Sequence, residues 1–283
     1  MQVLPSKELS PYIKHYLFLE SEGDSIKKLR LFSDGNTGMV FCFKGSLISG
    51  VQDNNLSYLP CSFIYGQISE FKDLYLANET SLLIVVFQPD GINRLLGISA
   101  NEIRDKIIRT EDIFGLPGLM LYEKLVGEPN TEDKLYLLNT FFLRFFPKHF
   151  LSNQLLIQAS LNFIIKNKGT ITIRQLVKHT GYTERHIERA FNESIGLSPK
   201  KFGSIVKLHS FLKILKDKSA QNNITAFCYE AGYFDQSHLI REFRKYTGIT
   251  PTQYLNDTSR LATNFMEFNS AAMSMSGLYN LSR

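Results

Sequence analysis

The sequence is poor in the features that mark secreted, membrane-spanning or metal-bound proteins. It has no tryptophan and only three cysteines, Cys42, Cys61 and Cys228, which lie far apart and are odd in number. No two of them have the spacing of a zinc site, and a disulfide framework needs an even set at short spacings. The cysteines therefore indicate a reducing, cytoplasmic setting.

Long apolar runs are also missing. The longest, Leu82–Phe87, has six residues, whereas a helix needs about 20 to cross a bilayer. Met1–Pro5 lacks a basic segment followed by an apolar core, so we expect no secretion signal and no membrane partner.

Charge is distributed unevenly along the chain. Residues 152–256 contain 15 Lys and Arg against 7 Asp and Glu, whereas residues 1–150 contain 15 against 18. The positive field of the second region suits a polyanionic partner such as DNA or RNA, although an inert basic surface would have the same composition.

Residues 1 to about 90 have the pattern of short strands. Apolar segments such as Met39–Phe43, Phe63–Tyr65 and Leu82–Phe87 are separated by Gly, Asn, Asp and Ser. This spacing predicts a mostly antiparallel barrel or sandwich. Helices are expected to flank it at Gly91–Leu96, Asn101–Ile108, Leu119–Val126 and Glu132–Phe146.

The segment Glu132–Phe146 is apolar around most of its circumference, so the helix must be buried. It can pack on the barrel of its own chain or on a second subunit, and the first arrangement is favoured. Pro147 ends the helix and places a domain boundary at 147–152.

An internal repeat follows. Gly181-Tyr182 begins an 11-residue segment that aligns with one beginning at Gly232-Tyr233, with a single extra residue in the second copy. The alignment matches several pairs: His186 with His238, Arg189 with Arg241, Phe191 with Phe243, Gly196 with Gly248, and Pro199 with Pro251.

Each copy has the plan of a helix-turn-helix unit. A short helix ends at Gly181 or Gly232, where glycine allows a positive φ, and a second helix starts at Thr183 or Asp235. Such a second helix fits the major groove of DNA. Its outward residues are the expected base readers: Arg185, Glu188 and Arg189, then Gln236, Ser237, Ile240 and Arg241. His186 and His238 are expected to be packed toward the core.

A long helix over Pro199–Lys216 is predicted between the copies, since Leu208, Leu212 and Leu215 repeat at helical spacing. Its length of about 27 Å is comparable to the roughly 34 Å between successive major grooves on one face of DNA. The candidate phosphate contacts are Lys166, Arg174, Lys200, Lys201 and Arg244.

The segment Gly232–Tyr254 closely resembles the signature of AraC/XylS regulators, and the first copy is similar to the family's first helix-turn-helix unit. The resemblance implies seven helices over residues 151–256, base reading at the positions named above, and control of transcription in a bacterial cytoplasm. Some residues depart from the family pattern at positions that bear on local packing and base preference: Val177, Phe211, Cys228, Leu239 and Glu242.

Residues 1–150 are similar to the cupin-like sensor or dimerisation domains that often accompany this family. The fold class is therefore α+β, with a cupin-like barrel before an all-α domain. Residues 1–150 contain only His15 and His149, too few for a metal-using cupin, so no metal or other cofactor is expected. Aromatic residues that could line an effector pocket, but more often form core, are Tyr16, Phe18, Phe41, Phe43, Phe63 and Tyr65.

Three functions stay open at this point. The favoured one is a transcription regulator that binds double-stranded DNA and answers to an effector whose site is unknown. The others are a constitutive DNA binder whose N-terminal domain only dimerises, and a DNA-binding module fused to an enzyme. We expect no enzymatic activity, and RNA polymerase and a second subunit are further candidate partners. The tail 257–283 is expected to be disordered or to form a short helix.

Overall fold

The computed structural model describes residues 1–21, 27–50, 56–145, 153–217, 224–256, 258–262 and 264–268. These form an antiparallel sheet flanked by helices, followed by a helical region, so the expected α+β class is confirmed. Pro147 lies outside the described residues, but the helix predicted to end there already ends at Leu143.

Within the described ranges, ten strands form one sheet in which every pairing is antiparallel. Their bounds are β1 (Gln2–Val3), β2 (Ile13–Ser21), β3 (Lys27–Leu31), β4 (Gly38–Gly50), β5 (Leu56–Tyr58), β6 (Ser62–Tyr65), β7 (Lys72–Phe87), β8 (Ile107–Arg109), β9 (Thr258–Ala262) and β10 (Phe265–Phe268). The long strand β7 is the centre of the sheet, because it pairs with β4 along one side and with both β2 and β3 along the other.

One face of this sheet is covered by helices of its own region, α1 (Gly91–Leu96), α2 (Thr110–Phe114), α3 (Leu116–Gly127) and α4 (Thr131–Leu143). Helix α4 corresponds to the predicted apolar helix, and its Leu138, Phe141 and Phe142 are buried. The ring of Phe142 meets Phe87 of β7 edge-on, with centroids 5.8 Å apart. The expectation that this helix packs on its own barrel is confirmed.

The helix predicted over Asn101–Ile108 is wrong. Residues 101–105 form turns, and Ile107–Arg109 is instead the edge strand β8, paired with β6. The turn is held by the loop before β7, where Gln67 O accepts from Asp105 N at 2.9 Å and Asp105 Oδ1 accepts from Ser69 N at 2.6 Å. Tertiary hydrogen bonds override the helical pattern here.

The helical region contains α5 (Gln154–Lys166), α6 (Ile173–Thr180), α7 (Glu184–Ser194), α8 (Pro199–Asp217), α9 (Ile224–Glu230), α10 (Gln236–Thr247) and α11 (Pro251–Asn256). The seven helices implied by the resemblance are therefore present among the described residues. None of the helices in the described ranges is long and apolar enough to cross a membrane.

The segment after α11 differs from both alternatives expected for the tail. Thr258–Ala262 and Phe265–Phe268 pair as the antiparallel strands β9 and β10, and β10 also pairs antiparallel with β3 near the start of the chain. Phe265 and Met266 of β10 are buried. The chain thus returns to the first sheet after the helical region, which the sequence analysis did not foresee.

Candidate nucleic-acid interface

The first helix-turn-helix unit consists of α6 and α7. Thr172 and Gln175 form a reciprocal capping box at the start of α6, and Gly181 ends that helix with φ 76°. Thr183 Oγ1 then accepts from His186 N at 3.3 Å and caps α7. The predicted turn glycine and helix cap are both confirmed.

The second unit repeats this construction with α9 and α10. Gly232 has φ 82°, and Asp235 Oδ1 accepts from His238 N at 2.7 Å at the start of α10. Gly248 closes α10 with φ 74°, as its N–H donates to Arg244 O. We call α7 and α10 the recognition helices, because each is the second helix of its unit.

The inner faces of both recognition helices are buried as predicted. They contribute Ile187, Ala190, Phe191 and Ser194 from α7, and Leu239, Phe243 and Tyr246 from α10. Of the residues that depart from the family pattern, Phe211, Cys228 and Leu239 are also fully buried. Phe211 meets the rings of Tyr233 and Phe243 edge-on, at 6.3 and 6.0 Å. The departures are therefore accommodated within a packed core.

Glu242 also departs from the family pattern, and its carboxylate forms an ion pair with Lys207 of the linking helix α8. Its Oε2 lies 3.0 Å from Lys207 Nζ of α8, and both side chains are only 13% exposed. The Lys207 ammonium also lies 4.2 Å from the centre of the Tyr233 ring. This contact ties the second recognition helix to α8.

The predicted base readers lie on the outer faces of the recognition helices. The exposed ones are Arg185, Arg189, Gln236, Ser237 and Arg241, and the partly buried ones are Glu188 and Ile240. Burial, together with the neighbouring Glu184, raises the pKa of Glu188 above its ordinary value. Neither recurring arginine is buried, so both guanidinium groups remain accessible to a partner.

The two histidines of the repeat have different surroundings. His186 accepts from Arg189 Nη2 through Nδ1 at 3.4 Å, and its Nε2 donates to Asn153 Oδ1 at 3.0 Å. His238 lies edge-on to Tyr233 and 3.9 Å from Glu242. Both are partly buried and engage neighbouring side chains, as predicted.

Four of the five candidate phosphate contacts are exposed: Lys166, Arg174, Lys200 and Arg244. Lys201 is partly buried instead, and burial lowers its pKa, with Asp105 of the N-terminal region among the charges around it. Lys201 therefore faces the N-terminal region and is a weaker candidate for a DNA contact.

Helix α8 links the two units and also contacts the N-terminal sheet. It has 19 residues, about 28 Å at 1.5 Å per residue. On its sheet side, His209 Nε2 donates to Ser33 O at 3.0 Å. A Cβ on Gly35 would lie 2.8 Å from Phe202, so this turn packs on α8 only because glycine has no side chain.

A second contact joins the sheet to α10. The Arg30 guanidinium of β3 donates to both carboxylate oxygens of Asp73, at 2.5 and 2.8 Å, and to Thr247 O at 3.3 Å. It stacks on Phe71, 4.1 Å from the ring centre. Although burial opposes ionisation of Asp73, the adjoining Arg30 and Lys28 hold its pKa below the ordinary value. We call these contacts, with those of α8, the domain junction.

A cavity of about 1390 Å³ lies within the domain junction. The uncovered face of the sheet contributes Leu17, Val40 and Leu74, while α8 contributes Val206, Leu212 and Lys213. The hairpin β9–β10 completes the wall with Ala262 and Phe265. Of the six aromatic residues proposed for a pocket, Phe63 and Tyr65 line this cavity, whereas Tyr16 and Phe41 belong to the core beneath the helices.

Sequence reasoning missed the residues of the domain junction, including Arg30, Phe202 and His209. The available signal was α8 itself, whose apolar residues are spread over several faces. A helix that is apolar around its circumference must be covered on more than one side. The turn that covers it could not have been identified, because Ser33 and Gly35 lie about 170 residues away in the chain.

The cysteines offer little support for a nucleophilic centre. Burial raises the pKa of Cys42 to about 11 and also raises that of Cys228. Cys61 is exposed, and all three thiols are free. Within the described ranges, no three His, Cys, Asp or Glu side chains are grouped as metal ligands would be.

Comparison with known families agrees with this geometry. Residues 176–257 match a family described as "Helix-turn-helix domain", which is of the AraC type. The chain therefore contains an AraC-type helix-turn-helix domain. Residues 1–109 match a family described as "Domain of unknown function (DUF6597)". The cupin-like description of the AraC/XylS resemblance agrees with the half-barrel form of the sheet.

A curated relative from Haemophilus influenzae is named "Uncharacterized HTH-type transcriptional regulator" and is 26% identical over 161 residues. The alignment covers 52% of this chain and 53% of the relative, so the chain spans about half the relative's length.

Solved structures similar to this chain include ToxT from Vibrio cholerae with a bound unsaturated fatty acid. It has 11% identity and a TM-score of 0.48, over 85% of this chain and 94% of that one. A probable AraC family regulator from Rhodopseudomonas palustris is 29% identical with a TM-score of 0.32, over 35% of this chain and 94% of that one.

Proposed function

We propose that this protein is a sequence-specific DNA-binding transcription regulator of a bacterial cytoplasm, controlled by a small effector. The observation that carries the DNA-binding part is the pair of capped recognition helices with exposed arginines, Arg189 and Arg241, at matching positions. Arginine can donate two hydrogen bonds to guanine in the major groove. The helix α8, which connects the units, has a length suited to placing them in successive grooves.

Selection of bound sequences from random double-stranded DNA tests this proposal. We expect the full chain to enrich a site with two short conserved elements about 10 base pairs apart, one for each recognition helix. The matched control is the double variant Arg189→Ala/Arg241→Ala, which should enrich no common sequence. Failure of the unaltered protein to enrich any sequence would refute the DNA-binding proposal.

The cavity in the domain junction supports control by an effector. Its volume of about 1390 Å³ exceeds the roughly 300–1,000 Å³ of ordinary small-molecule sites, and its wall combines apolar side chains with Lys14, Lys213 and Lys216. A molecule held there would contact both the sheet and α8. Binding would therefore change how firmly the DNA-binding region is held against the sheet.

A thermal-shift screen of the full chain against small metabolites tests this part, because a ligand that binds only the folded protein raises Tm. Val40→Phe, which places a larger side chain in the cavity, is the matched control and should abolish the shift. A shift that persists in Val40→Phe would locate the ligand elsewhere. The absence of any shift would favour a constitutive DNA binder.

An enzymatic function has less support. The raised pKa of Cys42 disfavours its reactive thiolate form, and the described residues present no grouped metal ligands. RNA polymerase and a second copy of the chain remain proposed partners, on which the effect on transcription would depend.

A further inference from the structure

An aromatic residue immediately precedes the N-cap of each recognition helix. Tyr182 lies before Thr183 in the first unit, and Phe234 lies before Asp235 in the second. Tyr182 is 46% exposed and stacks on His186, with ring centres 5.0 Å apart. Phe234 is 85% exposed. The same position is thus partly covered in one unit and open to solvent in the other.

The extra residue in the second copy explains this difference. Tyr233 follows the turn glycine there and is buried, with only 3% of its surface exposed. It meets Phe211 edge-on and lies beneath the Lys207 ammonium. Since Tyr233 fills the inward position, Phe234 is left outside the core. An apolar residue before the N-cap often packs on the fourth residue of the helix, a contact called a hydrophobic staple. Phe234 is 85% exposed and therefore does not make this contact.

The location of Phe234 places its exposed ring where a recognition helix contacts DNA bases. It sits at the N-terminal end of α10, next to the exposed Gln236 and Ser237. In helix-turn-helix proteins the N-terminal residues of the recognition helix come nearest to the base edges. A phenylalanine ring offers no ordinary hydrogen bond, and the apolar group that distinguishes bases in the major groove is the C5-methyl of thymine.

We propose that Phe234 is a specificity-determining residue that contacts a thymine methyl in the half of the DNA site read by α10. This inference rests on the proposed function, because it requires α10 to enter a major groove. It adds an apolar contact to the polar readers of that helix. The two half-sites would then be recognised differently, because the ring of Tyr182 in the first unit is already stacked on His186.

Replacing single thymines by uracil tests the contact, because this change removes the methyl and leaves base pairing intact. The probe is the DNA sequence enriched by the unaltered full chain. We expect one thymine in the α10 half-site where uracil weakens binding about fourfold, the effect of one buried methyl-sized group. On thymine DNA, the affinity of Phe234→Ala should be about fourfold below that of the unaltered protein. This variant should bind uracil and thymine DNA equally well at that position.

Two further variants sharpen the result. Phe234→Leu keeps an apolar side chain and should retain part of the preference for thymine. Tyr136→Ala removes an aromatic residue that is 69% exposed on α4 of the N-terminal region, and it should keep the full preference. Circular dichroism and Tm should be unchanged in all three variants, because neither side chain is part of the core.

Two outcomes would overturn the proposal. In one, Phe234→Ala keeps the same thymine preference at every position. In the other, it weakens binding equally on thymine and uracil DNA, which would indicate a contact with the sugar-phosphate backbone. Either result would leave DNA binding itself intact. Failure of the proposed function would be seen earlier, as a lack of any enriched sequence.

Discussion

Arg30 in strand β3 donates a hydrogen bond to the carbonyl of Thr247 in the last turn of the second recognition helix, at 3.3 Å. Thr247 is fully buried, and Arg30 is only 8% exposed. The same guanidinium holds Asp73 through two hydrogen bonds. The Arg30 side chain therefore connects the C-terminal end of α10 to strands β3 and β7.

Replacing this arginine should weaken the fold. Among the described residues, Arg30→Ala leaves Asp73 with Lys28 as its remaining charged partner, and it removes the donor to Thr247 O. We expect the free energy of unfolding to fall by about 2 kcal/mol, as for hydrogen bonds to charged groups. Urea denaturation measures it. Lys44→Ala is the control, because its ion pair with Glu79 is exposed and should contribute less than about 1 kcal/mol.

The arginines of the recognition helices should affect DNA binding and not stability. Arg189→Ala and Arg241→Ala each remove an exposed guanidinium, so we expect an unchanged Tm. Affinity for the selected site should fall roughly 10- to 100-fold, equivalent to about 1–3 kcal/mol per base contact. Fluorescence anisotropy measures this. Unchanged affinity in both variants would show that these helices do not read DNA.

DNA binding should weaken steeply with salt. If Lys166, Arg174, Lys200 and Arg244 each neutralise one phosphate, affinity should drop roughly 100-fold between 50 and 200 mM salt. Lys200→Ala should reduce the slope of log affinity against log salt by about 1. The neighbouring Lys201→Ala is the matched control and should leave the slope unchanged, since Lys201 faces the N-terminal region. A flat salt response would contradict the phosphate contacts.

His209 should make stability depend on pH. Burial lowers its pKa below the ordinary value, against the opposing effect of Asp34, so the folded protein keeps the imidazole neutral. The unfolded chain takes up a proton as pH falls below about 6.5, and the free energy of unfolding should therefore decrease below that pH. His209→Gln can still donate to Ser33 O but does not titrate. Denaturation at pH 7.5 and 5.5 should show a smaller loss in this variant, and an equal loss would exclude His209 as the cause.

The helix-turn-helix units could be predicted from sequence because their determinants are local. Each unit is specified by features that lie within about a dozen residues of one another. They are the turn glycine (Gly181 or Gly232), the helix cap (Thr183 or Asp235) and the spacing of apolar residues. These features specify each unit before any long-range contact forms. The outward placement of Arg189 and Arg241 follows from helical periodicity alone.

The remaining features depend on partners far away in the chain. Asn101–Ile108 lacks helix because the loop at 66–69 takes its hydrogen bonds, and no nearby residue signals this. The strands β9 and β10 form because β3 offers an edge about 230 residues earlier. The cavity likewise forms only where a sheet face meets α8.

The return of β9 and β10 to the sheet gives the protein a nested architecture. Its helical region is an insertion bounded on both sides by segments of one β domain, so a fragment ending at residue 150 would lack two strands and part of the cavity wall. Conversely, a nick between residues 145 and 153 would leave the halves joined non-covalently through β10 and β3. The proposed responses to effector and DNA would therefore require the intact chain and would be lost or altered in the separated pieces.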